Sequence, residues 1–160
     1  MMKVLGDALL KLTCLVVDAN DLDRALLCAS LEKLGAKEVF SSSNGPEALH
    51  LLNQRSQPVD LILADTHTPG FNGFELLRAL RLGEIRNLRL NATFVLTTEA
   101  PQIEHVKAAS ALDANGFVVK PLDFARFQIA IAKARRAVFP PNPSRHASVI
   151  LPIIPGGFRG

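Results

Sequence analysis

The chain has no tryptophan and no tyrosine, and its aromatic content rests on nine phenylalanines. A stacking platform for nucleobases would have to be built from phenylalanine alone, so nucleic acid is not an expected partner. Cysteine is also scarce. Cys14 and Cys28 lie in apolar segments and match no metal-ligand spacing. A disulfide scaffold is excluded, and reduced, buried thiols in a cytoplasmic protein are expected. No apolar run approaches the roughly 18 residues needed to span a bilayer, so no membrane partner is expected. Leu12-Thr13-Cys14 bears a faint likeness to a lipoprotein cleavage site, but Lys11 interrupts the apolar stretch and Thr13 is a poor residue before the cysteine. A concentrated charge of one sign is missing too. A net charge of +3 and a pI near 9.1 make the chain only mildly basic.

What is present suits one globular domain. The 160 residues are 48% hydrophobic and 21% charged, enough apolar surface to offset the entropy of ordering the chain. Residues 12–18 form a short apolar run ending in Asp18, the pattern of a strand buried on both faces. Asn20 or Asp21 can cap the helix that follows. Leu22, Leu26, Ala29 and Lys33 share one stripe of it, with Leu27, Leu31 and Leu34 beside it, and Gly35 ends it. Residues 37–42 predict a second strand. Asn44-Gly45-Pro46 opens a helix through Leu52, with proline in the first turn, where its missing N–H costs little.

Residues 59–65 (VDLILAD) repeat the theme of an apolar strand ending in a carboxylate. Thr68-Pro69-Gly70 makes a turn, and residues 73–82 are helical. A fourth strand covers residues 93–96 and ends at Thr97-Thr98. An Ala-rich helix spans 102–113, and a fifth strand spans 117–120, followed by Pro121. Asp123 caps a last helix with Phe124, Phe127, Ile131 and Val138 on one face. Five βα units in a row predict an α/β fold, a doubly wound, five-stranded parallel sheet with helices on both faces. Ligands of such sheets bind at the carboxyl ends of the strands. Asp18, Asp65, Thr97 and Lys120 should therefore converge on one edge.

The chemistry of that set is specific. Two carboxylates at adjacent strand ends attract a hard divalent cation, and Mg²⁺ suits them. A carboxylate beside Mg²⁺ can attack phosphorus to give an acyl phosphate. A lysine and a hydroxyl nearby bind the phosphoryl oxygens as charge builds on them. The set fits phosphoryl transfer to an aspartate.

Over residues 12–138 the chain resembles the response-regulator receiver family, in particular the small, chemotaxis-regulator-like receivers that carry no output domain. The resemblance rests on Val17-Asp18, on Leu63-Ala64-Asp65 with Pro69 and Gly73, on Leu96-Thr97-Thr98, and on Phe117-Val118-Val119-Lys120-Pro121, in that order. It implies a flavodoxin-like receiver fold with Asp65 as phospho-acceptor. It implies Mg²⁺ held by Asp18, Asp65 and the backbone carbonyl of His67. Thr97 and Lys120 would sense the phosphoryl group, Phe117 would be the aromatic that repositions, and the Lys120–Pro121 bond would be cis. A histidine kinase or phosphotransfer protein is the implied donor in a two-component phosphorelay. No output domain follows, so a downstream protein is expected to read the face made by the fourth helix, fifth strand and fifth helix, where homodimers could also form. No enzymatic activity is expected beyond self-catalysed phosphoryl transfer and autodephosphorylation.

One departure matters. The family pattern has two adjacent acids after the first strand, and here the pair is Asp18-Ala19. A water could fill the vacancy, but Mg²⁺ binding should be weakened. Asp21 and Asp23 are expected to point away along the first helix.

Ala19 motivates an alternative, a pseudo-receiver that binds constitutively without phosphorylation. Residues 1–11 and 139–160 flank the domain, and the second segment differs from it in composition. Pro140, Pro141 and Pro143 make a stiff break, and Val149 to Ile154 are too apolar for an inert tail. Packing on the domain and docking on a partner are both open. A cyclic dinucleotide bound by Arg135, Arg136, Arg145 and Arg159 is a further alternative. The plainer reading makes Lys133, Arg135 and Arg136 a solvated helix end, His67 a loop residue and Phe117 a core residue. A general metabolic enzyme is disfavoured: no glycine-rich phosphate loop follows the first strand, and Asp65-Thr66-His67 lacks a second aspartate.

Overall fold

The computed structural model describes residues 11–85, 88, 92–121 and 123–154. The elements in chain order are β1 (Thr13–Val17), α1 (Asp21–Lys33), β2 (Glu38–Ser42), α2 (Gly45–Gln54), β3 (Leu61–Asp65), α3 (Gly73–Arg81), β4 (Thr93–Thr98), α4 (Ile103–Ala111), β5 (Gly116–Val119), α5 (Phe124–Arg136) and α6 (Pro143–Ala147). The strands form one parallel sheet in the order β2-β1-β3-β4-β5. The chain first winds outward from β1 and then crosses to β3, so the winding reverses between these two strands. A doubly wound sheet opens its ligand crevice at such a point.

Side-chain alternation divides the core into two layers. Cys14, Val16, Leu61, Leu63 and Val95 pack with Leu31 of α1, with Leu34 that caps its end, and with Phe127, Ile131 and Ala134 of α5. Leu15, Val17, Ile62, Ala64, Phe94 and Leu96 face α2, α3 and α4. Each fully buried leucine or phenylalanine contributes about 1.5–3 kcal/mol relative to exposure. Cys14 is fully buried, and burial pushes its thiol up to about 12. Cys28 is half-buried, and both cysteines are free.

Local sequence sets the helix ends. The side chains of Asn20, Asn44, Asn72, Asp123 and Asn142 each accept a hydrogen bond from an N–H in the first turn, worth about 1 kcal/mol apiece. Asn72 and Glu75 form a reciprocal capping box. Gly35, at φ 96°, ends α1 with Ala36 N–H bonded to the Leu31 carbonyl.

Two expectations need correction. Leu22 and Leu26 of α1 are 67% and 57% exposed, whereas Leu27, Leu31 and Leu34 turn inward. A helix lying on a sheet buries one stripe, and here Leu27, Leu31 and Leu34 are the ones that pack with Cys14, Val16 and Phe127. Val138 does not share the face of Phe127 and Ile131. The backbone of Ala137 is extended ahead of the prolines, so α5 ends at Arg136 and Val138 is 78% exposed.

The segment after α5 returns to the domain. Arg145 pairs with Asp113 and donates to the Ala111 carbonyl, so α6 is tied to the end of α4. His146 is fully buried and shares the Asp113 carboxylate. Val149 and Leu151 pack against the core, Ile154 enters it, and Arg78 of α3 donates to the Val149 carbonyl. Ile150 and Ile153, which alternate with these residues, face solvent. Of the two readings of the apolar segment, the described part adopts packing on its own domain. Residues 1–10 and 155–160, including Arg159, lie outside the described residues.

Candidate functional site at the carboxyl edge of the sheet

Strand alternation brings the site together. Asp65 and Thr97 are register partners on β3 and β4. Each lies two residues beyond a side chain, Leu63 or Val95, that faces α1 and α5. The pleat therefore sends both to that side of the sheet. Asp18 follows β1, and Lys120 follows β5. All four sequence-predicted side chains do meet at this edge.

Asp18 is 2% exposed and does two jobs. One carboxylate oxygen accepts from the Asn20 N–H at 2.9 Å, which steadies the entry to α1. The other accepts from Lys120 Nζ at 2.8 Å. Asp65 lies 3.2 Å from the same nitrogen and also accepts from the His67 N–H at 3.1 Å. Gly73 allows α3 to pass close behind: a Cβ there would stand 2.7 Å from the Asp65 carbonyl oxygen and 2.8 Å from a Leu96 methyl. Thr97 is 2% exposed, and its hydroxyl oxygen has no hydrogen-bond partner. A buried hydroxyl without a partner is costly in an empty core, and it suits a site that receives a polar guest. The Lys120–Pro121 bond is cis, as the resemblance implied.

Asp23 corrects the sequence reading. Its carboxylate lies 2.9 Å from Lys120 Nζ, so it points into the site. Asp21 does point away, pairs with Arg24 and is exposed. The difference is positional. Helical side chains lean toward the N-terminus. With Asn20 as N-cap, Asp23 occupies the third helical position and leans back over the strand ends. The cap at Asn20 was the sequence signal that could have found it.

Lys120 thus faces three carboxylates with one ammonium. Burial works against its charge, yet the hydrogen bonds to Asp18 and Asp23 and the nearby Asp65 hold it above the usual lysine range. Burial also pushes the Asp18 carboxyl upward, and the neighbouring Asp65 adds to this against the pull of Lys120. The two shifts differ in origin: loss of hydration dominates at Asp18, whereas the surrounding acids together outweigh it at Lys120. A cavity of about 80 Å³ lies beside these groups between α1 and α5. Asp23, Thr97 and Lys120 help line it, and Leu26, Leu27 and Phe127 supply apolar wall.

The donor set is all hard oxygen, which fits Mg²⁺. Among the described residues no three acidic, thiol or imidazole side chains form a ready-made metal cage. Mg²⁺ keeps several waters and asks for only one or two protein carboxylates, so a cage is not required.

The remaining candidates fall out as follows. The His67 ring is exposed, contacts the Thr66 hydroxyl at 2.8 Å and lies edge-on to His105. Phe117 is half-buried against the layer of α2, α3 and α4. Of the arginines considered for a cyclic dinucleotide, Arg135 donates to the Thr93 hydroxyl at 2.7 Å and Arg145 is held by Asp113. Arg135 and Arg145 are thus engaged separately and form no shared cluster among the described residues. Sequence reading also missed Arg81, a buried arginine that donates to the carbonyls of Ala92, Leu112 and Asp113 and to the Asn115 side chain. It pins the far end of the sheet and takes no part in this site.

Fold and site together define a flavodoxin-like signalling module. The chain belongs to the response regulator receiver domain family, whose model matches residues 14–132. It is 29% identical over 121 residues to the probable chemotaxis protein CheY of Rhizobium etli, covering 76% of this chain and 90% of that protein. It is 34% identical over 107 residues to the chemotaxis protein CheY of Pseudomonas aeruginosa, covering 67% of this chain and 82% of that protein. The receiver domain of the Pseudomonas aeruginosa sensor histidine kinase PA1611, crystallised with magnesium coordinated in its active-site cleft, superimposes with a TM-score of 0.64 at 21% identity. That match covers 78% of this chain and 98% of the other, and it speaks for the fold. No helix among the described residues is long and apolar enough to cross a membrane.

Proposed function

We propose that the chain is a chemotaxis-regulator-like receiver that accepts a phosphoryl group on Asp65 from a histidine kinase or phosphotransfer protein. One observation carries this: Asp65 sits beside Lys120 Nζ at 3.2 Å, on the register row of a buried, unpartnered Thr97 hydroxyl. An Asp65 oxygen attacks phosphorus, the phosphorus–nitrogen bond to the donor imidazole breaks, and the imidazole leaves with its electron pair and takes up a proton. Mg²⁺, when held by Asp18, Asp65 and the carbonyl of His67, neutralises charge on the transferring group. Lys120 and Thr97 bind the new phosphoryl oxygens by charge and hydrogen bond.

Output by protein contact follows from the surface. Ile103 and Val106 on α4 and Val119 on β5 leave large apolar side chains exposed. Phosphorylation that draws Thr97 toward the new group would shift the population of this face, with Phe117 repositioning behind it. A downstream protein, or a second copy of the chain, would read the change. The chain's own catalysis is confined to gaining and losing the phosphoryl group on Asp65, and a cytoplasmic setting suits its two free thiols. The comparisons lend no support to the phosphorylation-independent alternative.

The test is the intact mass of the protein after incubation with Mg²⁺ and a small-molecule phosphoryl donor, with Asp65→Ala alongside. A gain of one phosphoryl group, absent in the variant, is expected. Equal uptake by the variant would move the acceptor elsewhere.

A further inference from the structure

Asp23 is the one acid at this edge that comes from a helix, and it holds the lysine that a phosphoryl group would need. An ammonium has three N–H donors. Around Lys120 Nζ stand the carboxylates of Asp18, Asp23 and Asp65 at 2.8, 2.9 and 3.2 Å. All three donors are thereby claimed, and a phosphoryl oxygen can be bound only when one carboxylate gives way. Asp18 is 2% exposed and is also fixed by the Asn20 N–H. Asp65 is also fixed by the His67 N–H. Among the described residues the Asp23 carboxylate bonds to Lys120 alone. Water reaches it, since its side chain is 26% exposed. Asp23 is therefore the partner that Lys120 can release with least loss. The helix cap does not require the contact, because Asn20 accepts from the backbone N–H of residue 23 and not from its side chain.

We propose that Asp23 is a brake on phosphorylation: its carboxylate occupies Lys120 in the resting protein and competes there with the phosphoryl group arriving on Asp65. The proposal rests on the reading of Asp65 as acceptor. Two effects act in the same direction. The hydrogen bond from Lys120 to Asp23 is charge-assisted, and it must be given up before the ammonium can turn to a phosphoryl oxygen. The transferred group also raises the negative charge at Asp65, and a further carboxylate close by repels that charge in poorly solvated surroundings. Asp23 is a positioning residue in this scheme. It acts through Lys120 and touches no reacting atom.

The experiment is the initial rate of phosphoryl uptake, read by intact mass with Mg²⁺ and a small-molecule phosphoryl donor. It compares the natural chain with Asp23→Asn, Asp23→Ala and Asp21→Asn. Thermal unfolding is measured alongside to confirm that each is folded. Expected is uptake roughly three- to tenfold faster in both Asp23 variants, the size set by one charge-assisted hydrogen bond in partial contact with water. Asp21→Asn removes the same charge from the same helical turn on its exposed side, where Asp21 pairs with Arg24, and should leave the rate as it is. Added salt should raise the natural rate more than that of Asp23→Asn, because it screens a repulsion that the variant lacks. A packing change at residue 23 would not produce that difference. Unchanged or slower uptake by Asp23→Asn would overturn the proposal. So would equal acceleration by Asp21→Asn, which would trace the gain to overall charge and not to Lys120. Uptake at one rate by the natural chain and both Asp23 variants removes the brake and leaves Asp65 as acceptor. Uptake by none of these proteins removes the acceptor reading, and the brake with it.

Discussion

The imidazole of His146 meets the carboxylate of Asp113 at 2.9 Å, although the two are 33 residues apart in the chain. Asp113 follows α4 in a left-handed conformation at φ 55°, which aspartate tolerates better than most residues. Its N–H bonds to the Ser110 carbonyl and that of Ala114 to the Ala109 carbonyl, which closes the helix. The carboxylate is thereby presented to α6, where Arg145 also takes it. A short helix that could not persist alone is held by one helix-ending residue.

His146→Ala should therefore cost about 1–3 kcal/mol, since it leaves a buried acceptor short of a partner and opens a hole where a fully buried ring stood. Urea denaturation checks the figure. Ile150→Ala is the control. That side chain is 92% exposed, and its loss should change stability by less than about 0.5 kcal/mol. Equal effects from the two substitutions would mean that residues 143–154 do not hold to the domain in solution.

Asp18→Asn should stabilise the protein in the absence of Mg²⁺ while weakening its Mg²⁺ binding. The carboxyl is pushed upward by burial, so its charged form is less comfortable folded than unfolded. The folded state binds that proton more tightly than the unfolded state does. The cost of ionisation is thus present above the raised folded value and relieved as pH falls through it. The variant should gain on the order of 1 kcal/mol at neutral pH. The gain should shrink toward acid pH, where Asp18 of the natural protein takes up its proton. Denaturation curves at several pH values decide this, and a variant less stable than the natural protein at pH 7 would refute it.

Gly73→Ala should destabilise by about 1–3 kcal/mol and disturb Asp65 in particular. The new methyl would press on the Asp65 carbonyl and on Leu96, both within 2.8 Å of it. Backbone amide shifts of residues 65–67, compared with those of β2, would show whether the strain is local to the acceptor strand.

The sequence by itself determined the elements and the edge where the chemistry sits. Strands buried on both faces declare themselves as short apolar runs, and a pleat of period two places Asp65 beside Thr97 once both strands are parallel and adjacent. Asparagine and aspartate caps likewise act on N–H groups three residues on, so the starts of α1, α2 and α5 were legible locally. Three things belonged to the tertiary structure. The rotation of α1 on the sheet decided that Leu27 and Leu31 are covered and Leu22 and Leu26 are not, because two apolar stripes compete for one surface. The tilt of the third helical side chain toward the strand ends brought Asp23 to Lys120, 97 residues away in the chain. The path of the chain after Pro140-Pro141 was settled only by Asp113, whose carboxylate gave an arginine and a histidine of a proline-flanked segment a place to be buried. Each depends on partners distant in sequence, and periodicity carries no information about those.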